Sequence, residues 1–358
     1  MTVDELPTPC LVVDLDALER NLSAWQRDAT VGGARFRPHV KTHKTLELAR
    51  MQLSAGACGI TAAKVAEAEV YVAAGFADVV VAYPVFGEGA WRRLARLASG
   101  ARIGVNVENG EAAEGISRAA SAEGVQIDVH VDLDTGLGRC GVPVADREEV
   151  RRLADLVERL PGLRLHGVTT YRGVAFDSAP EPAAAGREEA RLAVATAAAL
   201  GLADVAVGST PTGRAAAKAA GVTEVRAGTY VFNDLMQVGL GAAELQDCAL
   251  SIWATVVSVN RPGRVTVDAG SKTFSGDAVL AGDRGRMVAR SIDGAVVIDA
   301  LTEEHGVGST ARPVRVGERI AFTPAHVCTT VNLSDELVAA RRGEVEAVWA
   351  VAARGRRT

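Results

Sequence analysis

Residues 78–133, DVVVAYPVFGEGAWRRLARLASGARIGVNVENGEAAEGISRAASAEGVQIDVHVDL, decide the architecture. The runs DVVVAY, RIGVNV and QIDVHVDL are short, apolar and rich in β-branched residues, so each predicts a buried strand. Between them, GAWRRLARLAS and GEAAEGISRAASAE place their apolar residues at helical spacing. Strand, helix, strand is the repeating unit of a parallel sheet.

The alternation continues in both directions. Upstream lie RFRPHV, KTLELARMQLSA, ACGIT and KVAEAEVYVAAG; downstream lie DREEVRRLADLVERL, RLHGVTTY, GREEARLAVATAAAL, DVAVGS and EVRAG. Eight strand runs of this kind match the count that closes a (β/α)8 barrel. An open doubly wound sheet also alternates, but no GxGxxG follows the first strand, so the barrel is the expectation. From about residue 244 the texture changes to LSIWATVVSVN, RVTVDAG, RMVARS, AVVIDAL and RIAFTPAHV, strands joined by Gly/Pro turns. The expected division is a barrel over 14–243 and a C-terminal β-domain over 244–358, with residues 1–13 contributing to the latter.

Composition narrows the class. The 358 residues are 48% hydrophobic and 23% charged, an ordinary globular balance. A net charge of −5 argues against a nucleic-acid partner. No apolar run approaches the roughly 18 residues of a membrane helix. The opening MTVDELPTPC has neither a basic n-region nor an apolar core. Five scattered cysteines without a CxxC pair fit a reducing compartment, so the expected location is the cytoplasm.

In such a barrel, functional groups collect beyond the C-terminal ends of the strands. His39 and Lys41 follow the first strand in RPHVKTHK. Gly208, Ser209 and Thr210 follow the seventh, and Gly228, Thr229 and Tyr230 the eighth, where backbone N–H groups commonly cradle a phosphate. Ordinary turns are the bland reading of either loop alone. A phosphate cradle and a strand-end lysine together suggest pyridoxal 5′-phosphate, held by its phosphate and by a lysine imine. Lys41 is the candidate, since Lys44 already approaches the next helix. In FTPAHVCTTVNL, His326 and Cys328 are two apart, so a strand would turn both to one side, and imidazole with thiolate suits zinc. A chance HxC pair is often inert.

TPCLVVDLDALERNL, RPHVKTHK, GSTPT, EVRAGTYVFND, EEHG and PAHVCTTVNL, in this order over nearly the whole chain, resemble the D-serine dehydratase and D-threonine aldolase group of fold-type III, alanine-racemase-like pyridoxal-phosphate enzymes. The resemblance implies a cofactor-bearing barrel, a C-terminal β-domain and a homodimer with sites near the subunit interface. It implies that Lys41 binds the cofactor, with Tyr171, Ser209, Thr210, Gly228, Thr229 and Tyr230 around its ring and phosphate. His166 and Arg139 occupy positions of ring-contacting groups, and Arg226 that of the group facing the pyridine nitrogen. His326 and Cys328 would hold zinc or another divalent metal beside the substrate's β-hydroxyl.

Cysteine at 328 tilts the expectation toward the dehydratase branch, because thiolate prefers zinc over magnesium or manganese. The expected function is a D-serine dehydratase-type lyase giving a keto acid and ammonia from a D-amino-acid substrate. The alternative is retro-aldol cleavage, as in D-threonine aldolase, to glycine and an aldehyde. A racemase needs a second base, usually a tyrosine of the β-domain, yet Tyr230 is the last tyrosine in the chain. A non-catalytic cofactor carrier of this superfamily would lack the β-domain. His305 and the loop DAGSKT, with Lys272, are further candidates to approach the substrate.

Overall fold

The computed structural model describes residues 1–173, 181–280 and 285–358. They pack as two compact units, one of residues 24–41, 48–228 and 355–358, the other of residues 1–23, 42–47 and 229–354. The sequence-based boundary at 243/244 is a different cut, falling within the second of these.

Among the described residues, the ring of the first unit has eight parallel strands: β1 (Arg35–Phe36), β2 (Ile60–Ala62), β3 (Asp78–Val81), β4 (Arg102–Val107), β5 (Ile127–Asp134), β6 (Leu163–Thr170), β7 (Asp204–Val207) and β8 (Glu224–Val225); a two-residue strand, Val142–Pro143, pairs parallel with the end of β5 off the ring. From β2 to β8 each pairs with its sequence neighbour, and β8 pairs with β1. The ring closes between β1 and β2 through a parallel bridge, His39 to Thr61. There the Thr61 N–H donates to Pro38 O and the Val40 N–H to Thr61 O, at 2.8 and 2.9 Å. β1 is short because Pro38 has no N–H to continue the ladder. Helices between strands include Val65–Ala73, Glu88–Leu97, Gly110–Glu123, Arg147–Arg159 and Pro182–Leu200.

Side chains alternate along each strand. Val129 and Val131 of β5 are fully buried, as are Val79, Val81, Ile103, Val105 and Val107, whereas Asp128, His130 and Asp132 take the other face. That face is the barrel interior: Arg226, just after β8, reaches Asn106 of β4 at 3.4 Å, and these strands lie on opposite sides of the ring. Layers of branched apolar residues usually fill such an interior. Here much of it is an ion network. Arg37 joins Glu224 (2.8 Å) and Asp78 (2.5 Å); Asp128 joins Arg102 (2.8 Å) and Arg164 (2.6 Å); Arg226 joins Glu224 (2.7 Å).

In the other unit, Arg264–Val267, Gly306–Thr310, Val296–Leu301, Ala289–Ser291, Arg319–Pro324 and Leu250–Ser258 pair in that order, and the last returns to pair with the first. Cys10–Asp14 extends the sheet, antiparallel to Leu250–Ser258 and parallel to Glu336–Arg341, with Glu344–Ala350 beyond. Gly306–Thr310 and the last two strands were not among the expected runs. RIAFTPAHV is also not one strand. It ends at Pro324, and a short helix, Val327–Asn332, begins just after His326.

Candidate active site

Lys41 sits in the turn beyond β1, at the C-terminal rim of the barrel, half-buried. Its ammonium lies 5.6 Å from the ring centroid of Tyr171, which follows β6, and the Arg139 guanidinium lies 4.8 Å from the same centroid. Three residues expected around one cofactor are thus gathered in one unit.

Gly208 shows how the loops after β7 and β8 meet. A Cβ there would come within 2.2 Å of Arg226 O, so only glycine lets the two backbones pack this closely. The Ser209 hydroxyl is turned inward: it accepts from the Thr212 N–H (3.2 Å) and bonds the Thr212 hydroxyl (2.7 Å), which donates to Glu189 (3.0 Å). What the segment offers a phosphate is therefore backbone rather than the serine side chain. Thr210 and Gly228 are buried in the same unit. Thr229 and Tyr230 begin the other unit in the turn Thr229–Val231, with Tyr230 buried. A rim of crowded small residues and a half-buried amine fit pyridoxal phosphate.

Arg226 is buried and fixed from several sides. Nε donates to Glu224, and the two Nη atoms lie 3.4–3.5 Å from Asn106, Thr169 and His130. Burial works to raise the Glu224 pKa, but the Arg226 and Arg37 charges outweigh it and hold the carboxyl well below the usual range. One layer nearer the rim, Asp132 is pushed the other way, to about 7, by burial and the Glu108 charge, against Asn106, Arg226 and Arg139.

His166 is a correction. It contacts Arg102 (3.5 Å) and Asp204 (3.6 Å), the first residues of β4 and β7, toward the N-terminal ends of the strands, whereas Lys41 lies beyond a C-terminal end. Ligand atoms of His130, His166 and Asp204 lie within 4.8 Å of one another, a spacing that could hold a metal ion. Guanidiniums of Arg35, Arg102 and Arg226 stand at 2.7, 3.5 and 3.5 Å from atoms of this trio. Positive charge already occupies the place of a cation, and the cluster belongs to the ion network.

In the other unit, His326 precedes the first turn of helix Val327–Asn332, with Cys328 inside that turn. They meet through a helix start, not along a strand as expected. The imidazole hydrogen-bonds Cys328, and burial, which lowers its pKa, is outweighed by that bond and by the Cys328, Asp234 and Asp277 groups, raising it to about 9. His326 Nδ1 lies 2.7 Å from Asp277 Oδ2. The Cys328 sulfur is 3.2 Å from the Thr42 hydroxyl and 3.8 Å from that of Thr229. Asp234 pins the loop: one carboxylate oxygen accepts from Gln237 N–H (2.9 Å) and the other from Val327 N–H (3.0 Å). Burial raises the Asp234 pKa to about 6 against those bonds and the His326 charge. A convergent imidazole and sulfur with a carboxylate behind the histidine is a donor set that fits zinc.

Other candidates have local duties. His305 is exposed, with Nδ1 3.3 Å from the Thr302 hydroxyl, and closes a hairpin turn. Exposed Lys272 pairs with Glu304 at 2.6 Å. His43 is buried and accepts from the Thr45 N–H, shaping the turn after Lys41. Sequence reasoning missed Asp234 and Asp277. The spacing FNDLMQ could have flagged Asp234 as a helix cap; nothing local marks Asp277.

A lysine-bearing (β/α)8 barrel joined to an antiparallel β-domain defines the class of alanine-racemase-like pyridoxal-phosphate enzymes. Residues 13–235 match the family model of the alanine racemase N-terminal domain, and residues 249–340 that of the putative serine dehydratase domain. The chain belongs to this fold-type III pyridoxal-phosphate family, in the group that contains D-threonine aldolase and D-serine dehydratase. It is 37% identical to a D-threonine aldolase of Arthrobacter sp, covering 97% of this chain and 93% of that protein. It is 34% identical to a D-threo-3-hydroxyaspartate dehydratase of Delftia sp. (strain HT23), covering 92% and 93%. The solved structure of the Delftia enzyme superposes with a TM-score of 0.89 at 32% identity, over 98% of each chain. A D-serine dehydratase of Schizosaccharomyces pombe is 25% identical, over 92% of this chain and 87% of that one. Solved structures of D-threo-3-hydroxyaspartate dehydratase include a histidine-to-alanine mutant and a cysteine-to-alanine mutant in the metal-free form. The two substituted positions are two residues apart, the spacing of His326 and Cys328. Among the described residues, no helix is long and apolar enough to cross a membrane.

Proposed function

We propose that this protein is a pyridoxal-phosphate- and zinc-dependent lyase that removes water from a D-β-hydroxy-α-amino acid, giving a keto acid and ammonia. The observation that carries the reading is the pairing of His326 with Cys328, because a thiolate ligand selects zinc over harder ions. The dehydratase relative's histidine and cysteine, at the same spacing, support it. D-Serine, expected from the sequence, stays among the candidate substrates beside D-threo-3-hydroxyaspartate.

When bound, the cofactor supplies a sink for the electron pair left on Cα, and the ion supplies a Lewis acid for the β-oxygen. Lys41 would hold the cofactor through its amine and, as a free amine, would take the proton from the substrate's α-carbon. Arg226, locked by Glu224, would be the residue that faces the ring nitrogen with a positive charge. Backbone around Ser209, Thr210, Gly228 and Thr229 would hold the phosphate, with Tyr171, Tyr230 and Arg139 as the ring-contacting residues. His326 and Cys328 would hold the ion. We place the protein in the cytoplasm as a homodimer, with its barrel over 14–243 and β-domain over 244–358.

The second reading is retro-aldol cleavage, favoured by the 37% identity to D-threonine aldolase. Zinc-loaded protein incubated with D-serine, D-threonine and D-threo-3-hydroxyaspartate separates the two. Pyruvate, 2-oxobutanoate or oxaloacetate with ammonia supports dehydration. Glycine with acetaldehyde or glyoxylate decides for the aldolase.

A further inference from the structure

Asp277 is tied to His326 by a loop whose backbone is itself unusual. Ser275, which ends the short helix Ser271–Phe274, has φ 73° and ψ 177°, a region populated almost only by glycine. A non-glycine residue held there costs about 1–3 kcal/mol, so surrounding contacts must enforce it. They are visible. The Ser275 hydroxyl accepts from the Thr329 hydroxyl (3.0 Å) and from Asp277 N–H (3.3 Å). Thr329 also reaches Asp277 Oδ2 at 2.8 Å, the oxygen that lies 2.7 Å from His326 Nδ1. The Thr330 hydroxyl lies 3.0 Å from both Phe274 O and His326 O, tying the strained turn to the histidine's own backbone. Every tie ends on the orientation of one imidazole.

An imidazole that gives its Nδ1 proton to a carboxylate presents Nε2 as a lone-pair donor, in one tautomer and one ring plane. We propose that Asp277 is a positioning residue for the metal: through the Nδ1 hydrogen bond, and with Thr329 and the strained Ser275 turn behind it, it orients His326 to ligate through Nε2. This deepens the reading of His326 and Cys328 as ligands and rests on it. Asp277 does not touch the ion. It removes the alternative tautomer and the ring rotations that the ion would otherwise have to suppress on binding.

The test is zinc affinity, measured by competition with a chromophoric chelator on metal-stripped protein that retains pyridoxal phosphate. Asp277→Ala should bind zinc about 10–100-fold more weakly. Asp277→Asn, whose amide oxygen still accepts from Nδ1–H, should recover part of the loss. Nitrogen-15 NMR of zinc-loaded protein should show His326 as a single Nδ1-protonated tautomer, with that signature lost or shifted in Asp277→Ala. The visible absorbance of the bound cofactor should be the same in all variants. Zinc affinity within twofold of wild type in Asp277→Ala overturns the proposal. Should Asp277→Ala fail to fold, Thr329→Val takes its place, with a smaller weakening expected and an unchanged affinity overturning it. His326→Ala is the control for the parent reading. If that variant keeps wild-type zinc affinity, the His326–Cys328 assignment itself is wrong. If it loses zinc while Asp277→Ala does not, only the role of Asp277 fails.

Discussion

The barrel interior and the 325–329 loop both surround groups assigned to chemistry, yet they are held in opposite ways. In the barrel, carboxylates are shared between guanidiniums: Glu224 by Arg37 and Arg226, Asp128 by Arg102 and Arg164, Asp78 by Arg37 and Arg102. Around His326, among the described residues, no guanidinium is shared; the ties are individual hydrogen bonds, from Asp277 to the ring, Asp234 to the Val327 N–H and Thr330 to the His326 carbonyl. A buried ion network is poor at adding net stability but severe when a partner is lost. Individual hydrogen bonds in a half-buried loop are cheaper to lose in stability, but they set direction. Substitutions in the barrel should therefore be read mainly in unfolding experiments, and substitutions in the loop mainly in metal binding.

The largest expected effect belongs to neither scaffold. Lys41→Ala should abolish the visible absorbance of the bound cofactor and lower turnover by about 10⁴-fold or more. Retained absorbance would place the imine on another lysine. Removing the ion, by chelation or by Cys328→Ala, should cost several kcal/mol of transition-state stabilisation, about 10²–10³-fold in kcat/KM, with the thermal midpoint little changed. Added zinc should restore chelated wild type but not the variant. A Cys328→Ala protein as active as wild type would detach the thiolate from the reaction.

Glu224→Gln turns the comparison around. It leaves buried Arg226 without its carboxylate and buried Arg37 with Asp78 alone, and should cost about 3–5 kcal/mol of unfolding free energy. A loss below about 1 kcal/mol would mean the lattice is as dispensable as a surface pair. The same carboxyl shapes the acid limb. Its folded pKa lies below the unfolded value near 4.5, so its contribution is complete above that value and is lost as pH falls beneath it. Denaturant titrations from pH 6 down to 3 should show wild type losing more stability than Glu224→Gln. Asp132 has the reverse sign. With a folded pKa of about 7 against an ordinary 3.8, its contribution is present below 3.8 and is lost as pH rises through 7. Asp132→Asn should therefore gain on wild type between pH 5 and 8, and parallel stability curves across that range would contradict the burial of this charge.

The contrast also explains what the sequence could disclose. β-Branched runs and Ala-rich amphipathic stretches are local signals. RIGVNV appears as the strand Arg102–Val107, and GEAAEGISRAASAE as the helix Gly110–Glu123. The place of Lys41 in the turn after a strand was legible because the signals for that turn are local. The polar interior was not. Asp128, His130 and Asp132 alternate with valines as a half-exposed strand would, and only ring closure turns that face inward. His166 misled for the same reason: its motif is local, but its depth along the barrel axis is not. Pro324 marks the end of its strand locally, although the expected strand runs on to Val327. Asp277 lies far from His326 in sequence, and their contact exists only after folding.

Ser275 gives the finest comparison between the regions, because it isolates strain from hydrogen bonding. At an ordinary buried position alanine is more stabilising than glycine, since glycine loses more backbone entropy on folding. At φ 73° and ψ 177° the order should invert. Ser275→Ala loses the hydroxyl and keeps the strain, whereas Ser275→Gly loses the hydroxyl and releases it. The glycine variant should be more stable by about 1–2 kcal/mol, from paired denaturant titrations. Both should bind zinc more weakly than wild type, because both remove the oxygen that Thr329 grips. Gly75, at φ 90° with nothing within 4 Å of where a Cβ would stand, sits in the barrel unit and is the matching site. Gly75→Ala should cost about 1 kcal/mol and leave zinc affinity untouched. If the glycine variant at 275 proves no more stable than the alanine variant, the turn is not strained, and Asp277 reaches His326 without help from its backbone.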